Sequence, residues 1–344
     1  GPAIWRWRGS NRDNSINWET VNSLGRHFGY HAMSSRCGLP EICDPSHSAL
    51  VDSSVDIQPP WNIPDKIVIS TAIVGAFYSK AANPNQPLSP QEIYDSAREC
   101  CAAGSPVVHI HVRNELGYNA LDPELFHQVI DPLREEFPDT VFDGCLVPDD
   151  AAGWEAMKAV LKDGLLDVTP INTVATYCGD TLFTKPPHVM IEKTRLCQEY
   201  GVKPQIAVYS DGDIDNAARY LIKPGLLENP LHFIILPALP GCSPMPNAKA
   251  MVESLTHLHN RILDVAPEAV IMVCAAGRAS SYLATQALLL GLNIRVGMED
   301  TVWKWPHKND KIQSNVEQFK MYRQLAGLLG REICTSNDYR RMIG

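Results

Sequence analysis

The sequence predicts an α/β protein, a TIM (β/α)8 barrel preceded by an N-terminal extension. Eight short apolar runs rich in β-branched residues alternate along the chain with eight segments of helical length and periodicity. A TIM barrel consists of eight such β-then-α units, so this count predicts that fold, with a doubly wound open sheet as the alternative. The predicted strands are Ile67–Val74, Val107–Val112, Thr140–Val147, Leu166–Val174, Gln205–Tyr209, His232–Ala238, Val270–Ala275 and Asn293–Met298.

One predicted helix follows each strand. The first has the clearest boundaries, because Ser89 is a preferred N-cap residue, Pro90 suits the first helical position and Gly104 provides a stop. The predicted helices are Ser89–Ala103, Pro123–Phe137, Trp154–Lys162, Pro187–Tyr200, Ile214–Ile222, Ala248–Val265, Ser280–Leu290 and Val316–Leu329.

Residues 1–64 show no comparable periodicity. Trp5, Trp7 and Trp18 stand among Arg, Asn and Ser, and prolines precede the first apolar run. We therefore expect a catalytic barrel domain over residues 65–344 and a partly ordered arm over residues 1–64. The arm either docks on a surface or a neighbouring subunit, or stays mobile.

Composition excludes several classes of function. The formal net charge is -9 and no Lys/Arg-rich run occurs, so a nucleic-acid surface is not expected. No apolar stretch reaches the roughly 18 residues that a membrane span requires. The ten cysteines are scattered and form no C-x-x-C pair, which favours reduced thiols in a cytoplasmic protein.

The second predicted strand carries the strongest chemical signal, since residues 106–113 read PVVHIHVR. Side chains alternate between the two faces of a strand, so His109 and His111 project together while the Val and Ile side chains pack behind them. Two histidines so spaced are often only hydrogen-bonded polar residues. Burying two imidazoles without partners is costly, however, and a metal ion would satisfy both.

The eighth predicted strand supplies candidates for the rest of such a site, since residues 293–300 read NIRVGMED. Closure of a barrel brings strand eight beside strand one and within reach of strand two. By the period of two, Arg295, Gly297 and Glu299 share a face, and Glu299 lies at the carboxyl end, where TIM barrels place their active sites. Two His and one Glu with an open fourth position form a common catalytic zinc set.

At this point the chain resembles the β-keto acid cleavage enzymes, a family typified by 3-keto-5-aminohexanoate cleavage enzyme. The resemblance runs from about residue 67 to the C-terminus and rests on four motifs in order. They are TAIVGA at 71–76, NPNQPLSPQEI at 83–93, AG at 103–104 leading to HIHVR at 109–113, and RVGMED at 295–300, with AGR at 276–278 and SN at 314–315 as further matches.

The resemblance implies a zinc-dependent TIM barrel that condenses a β-keto acid with acetyl-CoA and returns acetoacetate and an acyl-CoA. It implies that His109, His111 and Glu299 hold Zn²⁺, and that Asp300, oriented by Arg295, is the base. Thr71, Asn85 and Arg113, which lie in the shared motifs, are expected to contact the substrate. We also expect a homo-oligomer.

The loop after strand eight, residues 301–310, is dense in aromatic and cationic residues. Trp303 and Trp305 could enclose an apolar or cationic group of the substrate, or they could form a subunit contact. Both alternatives remain open.

Three departures from the family pattern limit what carries over. LVPDD at 146–150 replaces a Ser-Thr-Gly-Gly-like turn, PQIAVYS at 204–210 replaces a Pro-Glu-x-Glu segment, and Phe77 replaces an amine-binding Glu. They put the acyl substrate and the use of acetyl-CoA in doubt. A CoA-independent metal hydrolase or aldolase is the alternative enzyme, and a non-catalytic binding module is the alternative outside enzymes.

Overall fold

The computed structural model describes residues 59–178, 181–239 and 242–344. Eight parallel strands close into a barrel in sequence order, which confirms the predicted TIM barrel and excludes the open sheet. The proposed arm, residues 1–64, lies almost wholly outside the described residues. The barrel strands are β1 (Ile69–Val74), β2 (Val107–Ile110), β3 (Val141–Gly144), β4 (Val168–Asn172), β5 (Lys203–Val208), β6 (His232–Ile235), β7 (Val270–Cys274) and β8 (Asn293–Val296).

Helices follow all eight strands, and a further helix ends the chain. The capping box predicted for the first helix is present, with Ser89 and Glu92 each accepting the other's backbone N–H. The helices are α1 (Pro90–Ala102), α2 (Pro123–Glu136), α3 (Ala151–Lys162), α4 (Pro187–Glu199), α5 (Asp211–Ala217, continued by a π-helical turn over Ala218–Ile222), α6 (Ala248–Val265), α7 (Ser280–Leu289), α8 (Asn315–Leu328) and α9 (Ser336–Ile343). No helix of the described segments is long and apolar enough to cross a bilayer.

The strands are buried on both faces. One set of side chains, including Val68, Val107, Val141 and Met272, packs inside the barrel. The alternate set packs outward against the helices and forms two larger clusters. This double burial explains why the strands read as continuous apolar runs rather than as alternating patterns.

Short hairpins extend two of the strands at their carboxyl ends. Val112–Arg113 pairs with Asn119–Ala120 after β2, and Ala175–Cys178 pairs with Thr181–Thr184 after β4. These hairpins stand at the end of the barrel that carries the candidate site, where βα loops normally build active sites.

The opposite end of the barrel is closed by α9. Tyr339 of α9 is fully buried, and its hydroxyl lies 2.7 Å from Nε2 of His232, at the start of β6. The side-chain nitrogen of Gln205 lies 2.7 Å from the same imidazole nitrogen. Burial lowers the pKa of His232 to about 3, so this imidazole is neutral in the folded protein.

We predict that His232 makes the fold acid-sensitive. Its pKa is near 6.5 in an unfolded chain and about 3 in the fold, so protons favour unfolding. Above about pH 6.5 the contribution of His232 to the free energy of unfolding is fully present. As the pH falls from there toward 3, this contribution decreases by about 1.4 kcal/mol per pH unit. Urea unfolding between pH 7 and 4 should show a shallower pH dependence in His232→Gln.

His257→Gln is the matched control, because His257 is exposed and pairs with Asp211 on the surface. That variant makes the same substitution at a surface position, and its urea unfolding is measured over the same pH range. Equal slopes in wild type and His232→Gln would show that His232 does not titrate in this way.

Candidate metal centre

Three of the predicted residues meet at the carboxyl end of the barrel. One ligand atom from each of His109, His111 and Glu299 lies within 4.8 Å of the others. Both histidines are buried, and only 11% of the Glu299 side chain is exposed. Residues 190 positions apart in sequence therefore form one compact cluster of nitrogen and oxygen donors.

His109 is oriented by the strand beside its own. In the parallel register His109 of β2 pairs with Asp143 of β3, and Nδ1 lies 2.8 Å from Oδ2 of Asp143. The other ring nitrogen, Nε2, then faces Oε2 of Glu299 at 3.3 Å. A carboxylate on one imidazole nitrogen fixes the ring and leaves the other nitrogen for a metal.

His111 lies just beyond the end of β2 and is oriented in a similar way. Its Nδ1 donates to the side-chain oxygen of Asn119 at 2.8 Å, and Asn119 belongs to the hairpin that follows the strand. Nε2 is left facing Oε1 of Glu299 at 3.4 Å. Both imidazoles thus present Nε2 to the same carboxylate.

Glu299 reaches the site by a path that differs from the predicted one. Strand β8 ends at Val296, and Gly297 adopts φ +138°, so Glu299 follows a turn and does not continue the strand. A Cβ on Gly297 would lie 2.1 Å from the carbonyl oxygen of Ala72, and one on Gly75 would lie 2.4 Å from Cγ of Glu299. The two glycines therefore give the glutamate room to cross the end of β1.

The cluster fits a divalent cation. Nε2 of His109 and Oε2 of Glu299 are buried and have no hydrogen-bond partner, an arrangement that is rare unless a ligand completes it. Burial opposes charge on His109, but the charges of Asp143 and Glu299 outweigh burial and raise its pKa to about 9. Two imidazoles and one carboxylate are a donor set that zinc accepts.

Arg295 and Asp300 form a buried ion pair beside these donors. Nε and Nη2 of Arg295 donate to the two oxygens of Asp300 at 3.0 and 2.6 Å, and Nη2 also donates to Oε1 of Glu299 at 3.2 Å. Both partners of the pair are about 2% exposed. Burial and the charge of Glu299 raise the pKa of Asp300, against the opposing charge of Arg295.

Asp300 can therefore accept a proton. A carboxylate whose pKa is raised by burial is a stronger base than an ordinary one, and the two-point contact with Arg295 fixes its orientation. The pKa of Tyr78 is raised to about 12. Burial is the main cause, and the charge of the nearby Asp300 carboxylate contributes.

Four residues at the site were not found from the sequence. Asp143 could have been noticed as an acidic residue at an inward position of a buried strand. Asn119, Tyr78 and Cys145 gave no signal. Cys145 directly follows β3, and although burial opposes ionisation of its thiol, His111 lowers the Cys145 pKa to about 7.

Three residues that were predicted to contact the substrate make hydrogen bonds within the fold. Thr71 points outward from β1, is fully buried and has its hydroxyl 2.5 Å from that of Ser105. Arg113 is 3% exposed and donates to the carbonyls of Gly75, Tyr78 and Gly117 at 2.6, 3.0 and 2.7 Å. Asn85 is exposed and donates to the Ile312 carbonyl at 3.2 Å, so it ties two loops together.

Trp303 and Trp305 are both half-buried in the loop after β8. The guanidinium carbon of Arg278 and Nζ of Lys311 lie 3.6 and 3.4 Å from the ring centre of Trp303. The side chains of Arg278 and Lys311 thus lie over the Trp303 ring, which was predicted to enclose a substrate group. Trp305 has Nζ of Lys304 at 5.6 Å.

Comparison with known proteins identifies the family. The family model for β-keto acid cleavage enzymes matches residues 66–344. The chain belongs to this family. The match covers the whole barrel and confirms the resemblance inferred from the sequence motifs.

Relatives align over nearly their full lengths. The chain is 30% identical over 284 residues to a 3-keto-5-aminohexanoate cleavage enzyme from Fusobacterium nucleatum subsp. nucleatum, covering 81% of this chain and 98% of that protein. It is 25% identical over 281 residues to a 3-oxoadipate:acetyl-CoA acetyltransferase from Cupriavidus necator, covering 80% and 94%. The apo structure of ObcA superposes with a TM-score of 0.66 at 19% identity, covering 76% of this chain and 66% of ObcA, which shows a shared fold.

We predict that Asp143 sets the metal affinity by holding Nδ1 of His109. Asp143→Asn should weaken divalent-metal binding by about 10- to 100-fold, the usual effect of losing such a carboxylate. Competition with a chromogenic chelator measures this affinity directly.

The control is Asp131→Asn. Oδ2 of Asp131 lies 2.9 Å from Nδ1 of His127 in an exposed helical pair, so the same change is made at a histidine remote from the barrel mouth. Unchanged affinity in both variants would mean that Asp143 does not act through His109.

Proposed function

We propose that this enzyme exchanges acyl groups between a β-keto acid and acetyl-CoA. In the keto acid, the bond between the β-carbonyl carbon and the α-carbon breaks. The α-carbon joins the carbonyl carbon of the acetyl group as the acetyl–sulfur bond of acetyl-CoA breaks, which gives acetoacetate, and the remaining acyl group bonds to the released CoA sulfur. The observation that carries the proposal is the buried Arg295–Asp300 pair directly beside the unpartnered donors of His109 and Glu299.

We propose that the metal is Zn²⁺, held by His109, His111 and Glu299. The two Nε2 atoms and the carboxylate oxygens already face one another, and a fourth coordination position would remain for substrate. When bound, the zinc would act as a Lewis acid toward a carbonyl oxygen of the substrate.

Asp300 is proposed as the base and Arg295 as the residue that positions it. Nη2 of Arg295 donates to both Glu299 and Asp300, so the Asp300 carboxylate lies close to the proposed metal ligand, and a substrate held at the metal would lie near it. Because both oxygens of Asp300 accept from Arg295, the carboxylate cannot swing away, and transfer of the substrate proton to it requires little rearrangement.

The acyl group is proposed to carry no ammonium group. Phe77 stands where an amine-binding glutamate occurs in the family pattern, two residues after the glycine that accommodates Glu299, and the residue is 62% exposed. A phenyl ring at this position favours an apolar acyl chain over a cationic one by direct contact.

Reaction with a panel of β-keto acids, followed by mass spectrometry of the products, tests the reaction. We expect acetoacetate and a new acyl-CoA only when acetyl-CoA is present, with neutral alkyl or aryl keto acids preferred to aminated ones. Cleavage at the same rate without acetyl-CoA would instead support the hydrolase or aldolase alternative.

Two variants separate the metal ligand from the base. His109→Ala should lose both metal and turnover, whereas Asp300→Asn should keep about one metal ion per chain while turnover falls roughly 100-fold or more, the scale of general base catalysis. Metal content is measured by mass spectrometry and turnover under saturating substrates. Near wild-type turnover in Asp300→Asn would remove Asp300 from the chemistry.

A homo-oligomer and a cytoplasmic location remain predictions. The eight cysteines of the described residues are all free thiols, which is consistent with a reducing compartment.

A further inference from the structure

Two thiols from different loops meet at the carboxyl end of the barrel. The sulfur atoms of Cys178 and Cys242 lie 3.2 Å apart, although the two residues are 64 positions apart in sequence. Both are free thiols. No other two thiols of the described residues are in hydrogen-bond contact with each other. The reaction proposed above makes no use of this pair.

Each of these thiols is placed by the backbone of its own loop. Cys178 ends the first strand of the hairpin after β4, where it pairs with Thr181. Cys242 lies in the loop after β6, and its amide donates to the Leu239 carbonyl at 3.2 Å. The Cys242 thiol also donates to the carbonyl oxygen of Tyr177, the residue before Cys178, at 2.8 Å. The folded hairpin and the folded loop therefore present their sulfur atoms to each other.

The two thiols differ in their surroundings. Cys178 is 8% exposed, whereas Cys242 is half-buried. A hydrogen bond from the Cys242 thiol lowers the pKa of Cys178, and burial opposes this effect. The same contact raises the pKa of Cys242. Because the thiolate is the nucleophilic form of cysteine, Cys178 is suited to react first and Cys242 to react second.

A covalent bond between the two sulfur atoms requires only a small movement. Bonded sulfur atoms lie about 2.05 Å apart, so the gap of 3.2 Å has to shorten by about 1.2 Å. Cys178 and Cys242 belong to segments that follow barrel strands and not to the strands themselves. Side-chain rotation and a small shift of either loop can close the gap while the barrel wall stays in place.

We propose that Cys178 and Cys242 are a peroxide-reactive pair that closes reversibly to a disulfide and ties the hairpin after β4 to the loop after β6. In the first step the Cys178 thiolate attacks one oxygen of hydrogen peroxide, which forms a sulfenic acid and releases hydroxide. In the second step the Cys242 sulfur attacks the Cys178 sulfur, and the displaced hydroxide takes the Cys242 thiol proton. The proton that Cys178 lost on ionising converts the first hydroxide to water. Two thiols are thus oxidised by two electrons, and one peroxide is reduced to two water molecules.

The pair suits a reducing compartment. There the dithiol seen in the structure is the resting state, and a disulfide formed on exposure to peroxide is returned to it by exchange with small thiols. The oxidant is small, so it needs little room to reach Cys178. None of these steps involves the metal centre or the proposed acyl exchange.

Peptide mapping of the full-length, metal-loaded protein, treated with about one equivalent of hydrogen peroxide, tests the pairing. Under non-reducing conditions we expect one peptide pair linked through Cys178 and Cys242, lighter by about 2 Da than the separate peptides and released by dithiothreitol. A disulfide from Cys178 to Cys145, which follows β3 at the same end of the barrel, would refute the pairing. Equal oxidation of all thiols would also refute it.

Two variants test the order of the steps in the presence of dimedone, which labels sulfenic acids. In Cys242→Ser the sulfenic acid on Cys178 has no second thiol to react with, and the serine hydroxyl can still donate to it, so Cys178 should be labelled. In Cys178→Ser no disulfide should form, and Cys242 should stay unlabelled. Labelling of Cys242 but not of Cys178 would overturn the assigned order. No label in either variant would show that neither thiol reacts with peroxide.

Cys334→Ser is the matched control. Cys334 is also nearly buried, at 3% exposed, but its amide donates to the Ile67 carbonyl near the start of β1, and burial raises its pKa. This variant should form the linked peptide as wild type does, and Cys334 of the wild type should stay unoxidised. Loss of the linked peptide in Cys334→Ser would contradict the assignment.

Amide hydrogen exchange tests whether the bond ties the two loops together. In the oxidised wild type the hairpin strands Ala175–Cys178 and Thr181–Thr184 should exchange roughly 10-fold more slowly than in the reduced protein, because a cross-link restricts local opening. Dithiothreitol should restore the original rates, and peroxide should not slow exchange in Cys242→Ser. Unchanged exchange in a protein whose disulfide is confirmed by mapping would overturn the tie between the hairpin and the loop.

Discussion

Mutual compensation of buried charges is the constraint on which the barrel mouth depends. Arg295 and Asp300 are almost completely buried, and Glu299 lies between this pair and two buried histidines. An unpaired charge in such a place would cost several kcal/mol, so each member must keep its partners. The network pairs Nε and Nη2 of Arg295 with carboxylates but leaves His109 Nε2 and Oε2 of Glu299 without hydrogen-bond partners. A metal ion bound by these donors would bring the positive charge that completes the arrangement.

The backbone around this network is built for close approach. Glu299 passes over Gly75, and Gly297 passes over Ala72, at distances where any Cβ would collide. Arg113 then fastens the loop after β1, through Gly75, to the hairpin loop after β2, through Gly117. Because that hairpin also carries Asn119, which orients His111, Arg113 supports the metal centre without touching it. The arginine predicted to bind substrate thus has a structural role in the described chain.

Prediction from the sequence was strongest where the information is local. Every predicted strand and helix is present with its boundaries shifted by a few residues, because apolar runs, caps and prolines act over neighbouring positions. Several boundaries shift by three residues, among them the starts of α3 at Ala151 and of α5 at Asp211, which were predicted at Trp154 and Ile214. The direction of the Thr71 side chain could not be read from the sequence, because β1 is buried on both faces and its sequence contains no alternation that reveals which side chains point inward.

The sequence by itself determined the class of fold, the paired histidines of β2 and the membership of the family. These depend on the spacing of apolar residues and on short sequence motifs, both of which can be recognised within a single stretch of the chain. Only the tertiary structure decided that Asp143 contacts His109, that Glu299 arrives by a turn and not along a strand, and that Cys178 meets Cys242. Each of these depends on parallel strands brought into register by barrel closure. That register is fixed by packing between segments distant in sequence, so it cannot be predicted from any one segment alone.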